Sequence, residues 1–315
     1  MKVTVYCMAY NHEKYIRSAL EGFVRQKTNF DYEVIVHDDA STDNTASIIR
    51  EFAEQYPQII KPIIQTENQY SKGTRVFDTF IVPRATGEYI ASCEGDDYWI
   101  DENKLQKQVD FLDTHPEYSA CVHNSYKLDM RTQEKTVMFG DADYDIQVFN
   151  VLEGVATCYQ TASLMYRMKY AINRPKFYYN TSKNGFGDYP QAIFLALNGP
   201  IRYLGQTMSV YRFGTESSWT TRNRKDMHKS ALHCQHVNQM LLEVNEYTNG
   251  LYRAQIENLI LKNNYLSLYF SEKYAEMRKQ EYRELYEQET WQFRIKMRLK
   301  QYLKPLYRIY RKIKY

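Results

Sequence analysis

The sequence predicts an α/β protein: a mostly parallel sheet flanked by helices, followed by a C-terminal helical region. Three observations predict it. β-rich runs alternate with amphipathic segments through the first half of the 315-residue chain. Polar clusters close three of those runs, namely Ala9-Tyr10-Asn11, Asp38-Asp39-Ala40-Ser41 and Glu94-Gly95-Asp96-Asp97. From about Lys225 the β-rich runs stop and helical periodicity takes over. Alternating strand and helix order makes neighbouring strands parallel. Ligands of such sheets bind outside the carboxyl ends of the strands, so the three clusters should share one edge.

The elements follow in order. Val3–Ala9 is the first strand. A helix over Glu13–Gln26 carries Ile16, Leu20 and Phe23 on one stripe. Glu33–His37 is the second strand. Ser41–Tyr56 is the second helix, with Ser41 or Thr42 as its N-cap and Asp43 in its first turn. Ile59–Gln65 and Glu88–Cys93 are the third and fourth strands. A helix over Lys104–His115 and a strand over Ser119–Tyr126 continue the pattern. Residues 126–158 are polar and irregular. Thr161–Arg167 is strand-like, and residues 174–187 form a loop rich in Pro, Tyr, Asn and Gly. Asp188 opens a helix that Gly199 and Pro200 close. Ile201–Gln206 and Met208–Phe213 are two short strands. The remainder is helical with a break near Gly250. The expected division is a domain over 1–220 and a helical region over 221–315.

Composition sets outer limits. Charged residues at 25% and hydrophobic residues at 43% are ordinary for a soluble protein. The 30 tyrosines have no single assignment. Cysteines 7, 93, 121, 158 and 234 are odd in number and lack CxxC spacing. That argues against a disulfide framework or a zinc site and for a reducing compartment. Cys7 and Cys93 fall in strands, where core packing is their expected role. No signal peptide is expected, because the start runs straight into a strand. No apolar run reaches 18 residues, so no transmembrane helix is expected.

Cys93–Trp99 (CEGDDYW) carries the most chemistry. Three carboxylates at one strand end repel each other unless a cation or hydrogen-bond donors hold them. An oxygen-only acidic cluster suits Mg²⁺ or Mn²⁺ bridging to a substrate phosphate. The alternative is a solvated acidic turn. His12, His37 and His123 lack ligand spacing and are expected to be structural.

Four segments together resemble the family 2 glycosyltransferases, which use the GT-A nucleotide-diphospho-sugar fold. They are VTVYCMAYNHEKYIRSALEGFVRQ, YEVIVHDDASTDNT, ATGEYIASCEGDDYW, and GDYPQAIFLALNG with the SVYR strand. The resemblance covers roughly residues 1–220. It implies that Tyr10 and the backbone at Met8 and Ala9 contact the nucleotide base, and that Asp39 accepts a hydrogen bond from a base N–H. It places Glu94-Gly95-Asp96 at the family's DxD motif, where Glu94 departs from the usual Asp. Asp96 would be the main metal ligand, with Asp97 and Glu94 supporting it or ordering the ribose and diphosphate. Asp188 falls at the family's catalytic base. Mn²⁺ or Mg²⁺ is the implied cofactor and a nucleotide sugar, first of all a UDP-sugar, the implied donor.

The chemistry needs these groups. The departing diphosphate gains negative charge, which a divalent ion offsets. The acceptor hydroxyl needs a base on the opposite face of the sugar, and Asp188 is the candidate. One base and no second carboxylate nucleophile implies single displacement with inversion, an implication that rests mainly on the family resemblance. Bland alternatives stand beside each role: Asp188 as a helix cap, Asp38 and Asp39 as turn residues, Tyr10, Tyr98 and Trp99 as packing. Asn68, Lys72 and Arg75 are candidates for the diphosphate oxygens or members of a basic surface loop. Arg212 is a further candidate for the diphosphate.

Residues 294–315 carry nine Lys/Arg and no Asp/Glu, leaving 3 − 9 = −6 for the rest of a chain whose net charge is +3. Ile295, Leu299, Leu303, Leu306, Tyr310 and Ile313 fall near helical spacing, and Pro305 should kink or restart the helix. The segment resembles an interfacial helix for an anionic membrane. A solvated basic tail is the alternative. Nucleic acid binding would waste the apolar stripe. The expected protein is a cytoplasmic enzyme peripheral to the inner face of a bacterial membrane, acting on a glycan or lipid-linked glycan in capsule, exopolysaccharide or O-antigen synthesis. Two other classes stay open. One is a non-catalytic binding protein on a degenerate transferase fold. The other is nucleotidyl transfer, which wants a Gly-rich basic loop where this chain has AYNHEKY.

Overall fold

The computed structural model describes residues 1–154, 158–182, 187–215 and 226–303. The chain divides into two compact units, residues 1–221 and 222–315.

The first unit is built on one sheet with ten strands among the described residues, ordered β3-β2-β1-β4-β9-β6-β10-β5, with β7 on β6 and β8 on β10. The strands are β1 Val3–Ala9, β2 Tyr32–Asp38, β3 Ile60–Ile64, β4 Tyr89–Ser92, β5 Tyr98–Trp99, β6 Ala120–Asp129, β7 Lys135–Val137, β8 Tyr144–Ile146, β9 Met165–Arg167 and β10 Ile201–Phe213. From β3 to β4 all pairs are parallel. Every residue of β2 is buried, as expected of a parallel strand covered on both faces. Beyond β4 the sheet is mixed. β9 runs antiparallel to both β4 and β6, and a 3₁₀ turn at Thr161–Ser163 leads into it.

Three expectations change locally. The first helix, α1, spans only Ile16–Val24, because His12 O already takes the N–H groups of Tyr15 and Ile16 in a tight turn. α2 starts at Thr45 and ends at Gln55. Neither Ser41 nor Thr42 caps it: Ser41 binds the Asp38 carboxylate and Thr42 binds Asn11. Asp43 instead accepts from the Thr45 N–H and hydroxyl. The stretch expected as one long loop contains a helix over Lys176–Ser182. Pro175 just before it is pre-set for helical φ, and Phe177 and Tyr178 are buried.

Further along, α3 spans Lys104–Thr114 and α4 Val148–Leu152; α5 is Lys169–Ile172, α6 the Lys176–Ser182 helix and α7 Asp188–Leu197. The two short strands expected after α7 are one strand, β10, with register shifts between Leu204 and Ser209.

The second unit begins with α8 (Met227–Tyr247) and α9 (Arg253–Phe270), joined by a turn at Gly250 with φ +78°. Asn238 bonds Asn264 and Asn263 across the pair. α10 (Arg283–Gln288) and α11 (Trp291–Tyr302) follow. Tyr265, Tyr274, Tyr282 and Tyr286 form a small core with Met277 and Met297, which gives part of the tyrosine excess a structural role. Among the described residues no helix is long and apolar enough to cross a membrane. The five cysteines are free and buried.

Candidate active site

The parallel register sets the ends of β1, β2 and β4 side by side, with Ala9 opposite Asp38 and Tyr6 opposite Ser92. The loops that leave these ends are laced together. Asp39 N–H donates to Ala9 O at 2.9 Å, and Gly95 N–H to Met8 O at 3.0 Å. Asn11, in the left-handed region at φ 56°, turns its side chain to accept the Thr42 N–H. His12 N–H donates to Thr45 Oγ1. The three polar clusters therefore meet at one edge of the sheet.

The acidic turn needs Gly95. A Cβ there would lie 2.8 Å from His12 Nδ1 and 3.1 Å from Ala9 Cβ, so only glycine lets the turn sit against the end of β1. His12 is buried with Nδ1 unpartnered, and burial holds its imidazole below its ordinary value against the pull of Asp96, Asp43 and Asp38. The three acids of the turn then diverge. Asp97 is 1% exposed; Oδ1 accepts the Arg212 N–H and Oδ2 the Gln160 side-chain amide, both at 2.8 Å. Both Asp97 oxygens are thus engaged inside the protein, and the metal role expected for Asp97 would have to draw on their remaining lone pairs. Asp96 is half-buried, and its Oδ2 accepts from Thr215 Oγ1 at 3.1 Å. Glu94 opens to solvent yet is crowded by protein. Burial, then the charges of Asp96, Asp188 and Asp97, push its carboxyl well above the usual range.

Asp188 comes near Glu94 from a distant part of the chain, and its charge acts on the Glu94 carboxyl. It stands in the first turn of α7, follows Gly187 as N-cap, and makes no capping bond. Its Oδ2 instead accepts from Thr161 Oγ1 at 3.3 Å. Asp188 is exposed at the surface, yet the protein packed around its carboxyl raises its pKa, and the Thr161 bond pulls it back. Thr161 belongs to a strap over Gln160–Ala162. Gln160 holds Asp97, Thr161 O accepts from Ser92 Oγ, and Ala162 O accepts from Trp99 Nε1. The strap links the acidic turn to Asp188. Nothing in its sequence, which looked like a strand, marked it as functional.

The expected nucleotide-contacting residues separate into two groups. Met8, Ala9 and Tyr10 lie at the end of β1, with Met8 and Tyr10 partly exposed. Asp39 sits beside them, but its carboxylate already accepts the N–H groups of Gln69 at 2.7 Å and Tyr70 at 3.1 Å. Asn68 donates to Asp39 O. Asp39 and Asn68 thus fix the 68–74 turn, and any base contact would use the remaining lone pairs of Asp39. Lys72 pairs with Glu67 of the same turn, and Arg75 lies over the Tyr179 ring at 4.5 Å. As placed, neither is gathered at the acidic turn. Arg212 is also otherwise engaged: it bonds Asp96 O and Ser18 Oγ and stacks on Tyr98 at 4.3 Å. Trp99 is fully buried against Phe23 and is a packing residue, whereas Tyr98 is half-buried.

Among the described residues, no group of three or more His, Cys, Asp or Glu converges into a metal cage. The donors present fit a different kind of site. Mg²⁺ and Mn²⁺ in nucleotide sites keep waters and bind through one or two carboxylates plus substrate phosphates. Asp96 and solvent-facing Glu94 supply that number, and crowding with Asp188 leaves excess negative charge a cation would offset.

The model of the family described as Glycosyl transferase family 2 matches residues 4–173. The chain belongs to glycosyl transferase family 2. A Mycobacterium tuberculosis protein of uncharacterised activity is 37% identical over 221 residues, covering 69% of this chain but 60% of that protein, so the chain spans less than two thirds of its length. The Escherichia coli UDP-Glc:α-D-GlcNAc-diphosphoundecaprenol β-1,3-glucosyltransferase WfaP is 33% identical over 112 residues, covering 36% of this chain and 41% of WfaP. Among solved structures, S. aureus TarS 1–349 in complex with UDP-GlcNAc superposes with a TM-score of 0.61 at 20% identity, covering 86% of this chain and 73% of that one. The family 2 chain has the GT-A fold: a curled central sheet flanked by helices, then a helical region.

Proposed function

We propose that the protein transfers a sugar from a nucleotide-diphospho-sugar to an acceptor hydroxyl with inversion at the anomeric carbon. The observation that carries this is the approach of Asp188, held by the Thr161 strap, to Glu94 of the acidic turn. Base and donor-side acids come from separate parts of the chain but share one space. The diphosphate lies on the Glu94–Asp96 side and the acceptor on the Asp188 side. The acceptor oxygen forms the new bond to the anomeric carbon as the C–O bond to the diphosphate breaks. The diphosphate departs with the electron pair, and the hydroxyl proton passes to Asp188. Asp96, with Glu94, would hold a divalent cation whose chemistry is to offset the charge of the departing diphosphate. The raised pKa of Asp188 favours proton uptake, and the Thr161 bond favours its ionised form.

The similarity to WfaP supports a lipid-linked glycan as acceptor, and with it a place at the inner face of a bacterial membrane in capsule, exopolysaccharide or O-antigen synthesis. A UDP-sugar is the first donor to test.

A panel of UDP-, GDP- and dTDP-sugars with Mn²⁺, scored by thermal shift and slow donor hydrolysis, tests the reading. One nucleotide class should stabilise the fold and be hydrolysed, and EDTA should stop hydrolysis. Asp96→Asn should fold but lose nearly all turnover. Asp188→Asn should bind donor and transfer at least about 10²-fold more slowly. Normal transfer by Asp188→Asn, or full activity in EDTA, contradicts the assignment.

A further inference from the structure

α11 carries an apolar stripe that is exposed among the described residues, with Arg278 touching it only at the Tyr302 end. Thr290 caps the helix by accepting the Phe293 N–H. Met297 (1% exposed) and Phe293 pack into the tyrosine-rich core of the second unit, so the helix is fixed by that face. The other side presents Trp291 (63% exposed), Ile295 (47%), Leu299 (41%) and Tyr302 (66%). Their spacing of four, four and three residues keeps them within about 80° of arc at 3.6 residues per turn. Exposed Lys296 and Arg298 flank the stripe on its two sides. Trp291–Tyr302 contains Arg294, Lys296, Arg298 and Lys300 and no acidic residue.

We infer that this face of α11 is a preformed docking surface for an anionic lipid bilayer. The commitment to lipid rests on charge and residue type. A symmetric contact with the same face of a second copy would bring like basic helices together. Anionic headgroups complement the flanking cations instead. Trp and Tyr at the ends of the stripe suit the headgroup boundary, and Ile295 and Leu299 suit the acyl side. The inference builds on the proposed membrane-borne acceptor and deepens it. The contact begins at Trp291, upstream of the basic segment 294–315, and belongs to a packed helix. Attachment therefore combines a fixed apolar face with the positive charge of the residues beyond it.

The test is flotation of the full chain with vesicles of phosphatidylcholine alone or with phosphatidylglycerol added, at low and high salt. The full chain should partition onto phosphatidylglycerol vesicles, and binding should fall as salt rises. The double variant Ile295→Glu, Leu299→Glu should lose at least about tenfold in partitioning, and Trp291→Ala should lose less, each with unchanged melting temperature. A chain ending at Leu303 should bind more weakly but stay sensitive to the double substitution. Donor hydrolysis should be unaffected throughout, which separates this test from that of the sugar-transfer reading. Wild-type vesicle binding by the double variant overturns the inference. So does absence of binding by the full chain at low salt, or a stripe-dependent dimer that binds no lipid.

Discussion

Glu94, Asp96 and Asp97 are near neighbours in sequence and have three different fates. Asp97 spends both oxygens inside the protein, Asp96 spends one, and Glu94 faces solvent among other acids. Asp39 similarly does two jobs if it reads a base, since it already holds the 68–74 turn. Thr161 is the residue whose role is most open to test. It touches Asp188 and acts through it, so it is a positioning residue. Its bond stabilises ionised Asp188; removing the bond raises a pKa that the surrounding protein has already raised. Thr161→Val should therefore move the acid limb of the kcat/KM profile to higher pH. At neutral pH the loss should be about fivefold, the equivalent of about 1 kcal/mol for one long hydrogen bond. Thr161→Ser should restore the wild-type limb. An unmoved limb in Thr161→Val would reduce Thr161 to packing.

At the level of elements, α1 controls where the acidic turn can sit. Gly22 faces β5, and a Cβ there would lie 2.9 Å from Trp99 O and 3.2 Å from Trp99 N, both backbone atoms that cannot rotate away. In an exposed helix Gly→Ala gains about 1 kcal/mol. Here the overlap forces α1 and β5 apart, at a cost of about 1–3 kcal/mol as in other overpacked sites. Gly22→Ala should thus lower the melting temperature despite better helix propensity. Since β5 begins one residue after Asp97, donor affinity should fall as well. A melting temperature above wild type would show that the helix shifts freely. The glycine and the helix period were visible in the sequence; that β5 lies against this turn of α1 was not, because about 75 residues separate them in the chain.

The whole molecule carries an electrostatic cost at its site. The carboxyls of Glu94, Asp97 and Asp188 are all raised, with desolvation by the surrounding protein the first cause in each. A carboxyl whose folded pKa exceeds its unfolded value costs nothing below the unfolded value, about 4. The cost grows as pH rises toward the folded value and persists above it. Glu94→Gln should therefore melt higher than wild type at pH 7 and equally near pH 3.5, while losing activity. Saturating Mn²⁺ should narrow the pH 7 difference by stabilising wild type more. Solvent beside Glu94 screens the effect, so the gain should be modest. A variant that melts lower than wild type at pH 7 would mean that the Glu94 charge stabilises the fold.

The sequence by itself determined the periodicities, the first four strands nearly to the residue, and the three polar clusters that end them. It did so because strand alternation and turn chemistry are local properties. Family motifs, also local, carried Asp96 and Asp188. Tertiary structure alone decided which acids face the site. Hydrogen bonds from Arg212, Gln160 and Thr215 make that choice, and those residues lie 63 to 119 positions away in the chain. It likewise decided that the 174–187 stretch contains a helix, that β9 runs antiparallel, and that the apolar side of α11 divides into a packed face and an open one. Each of these depends on what a segment meets across the fold, and burial free energy acts between surfaces that are distant in sequence.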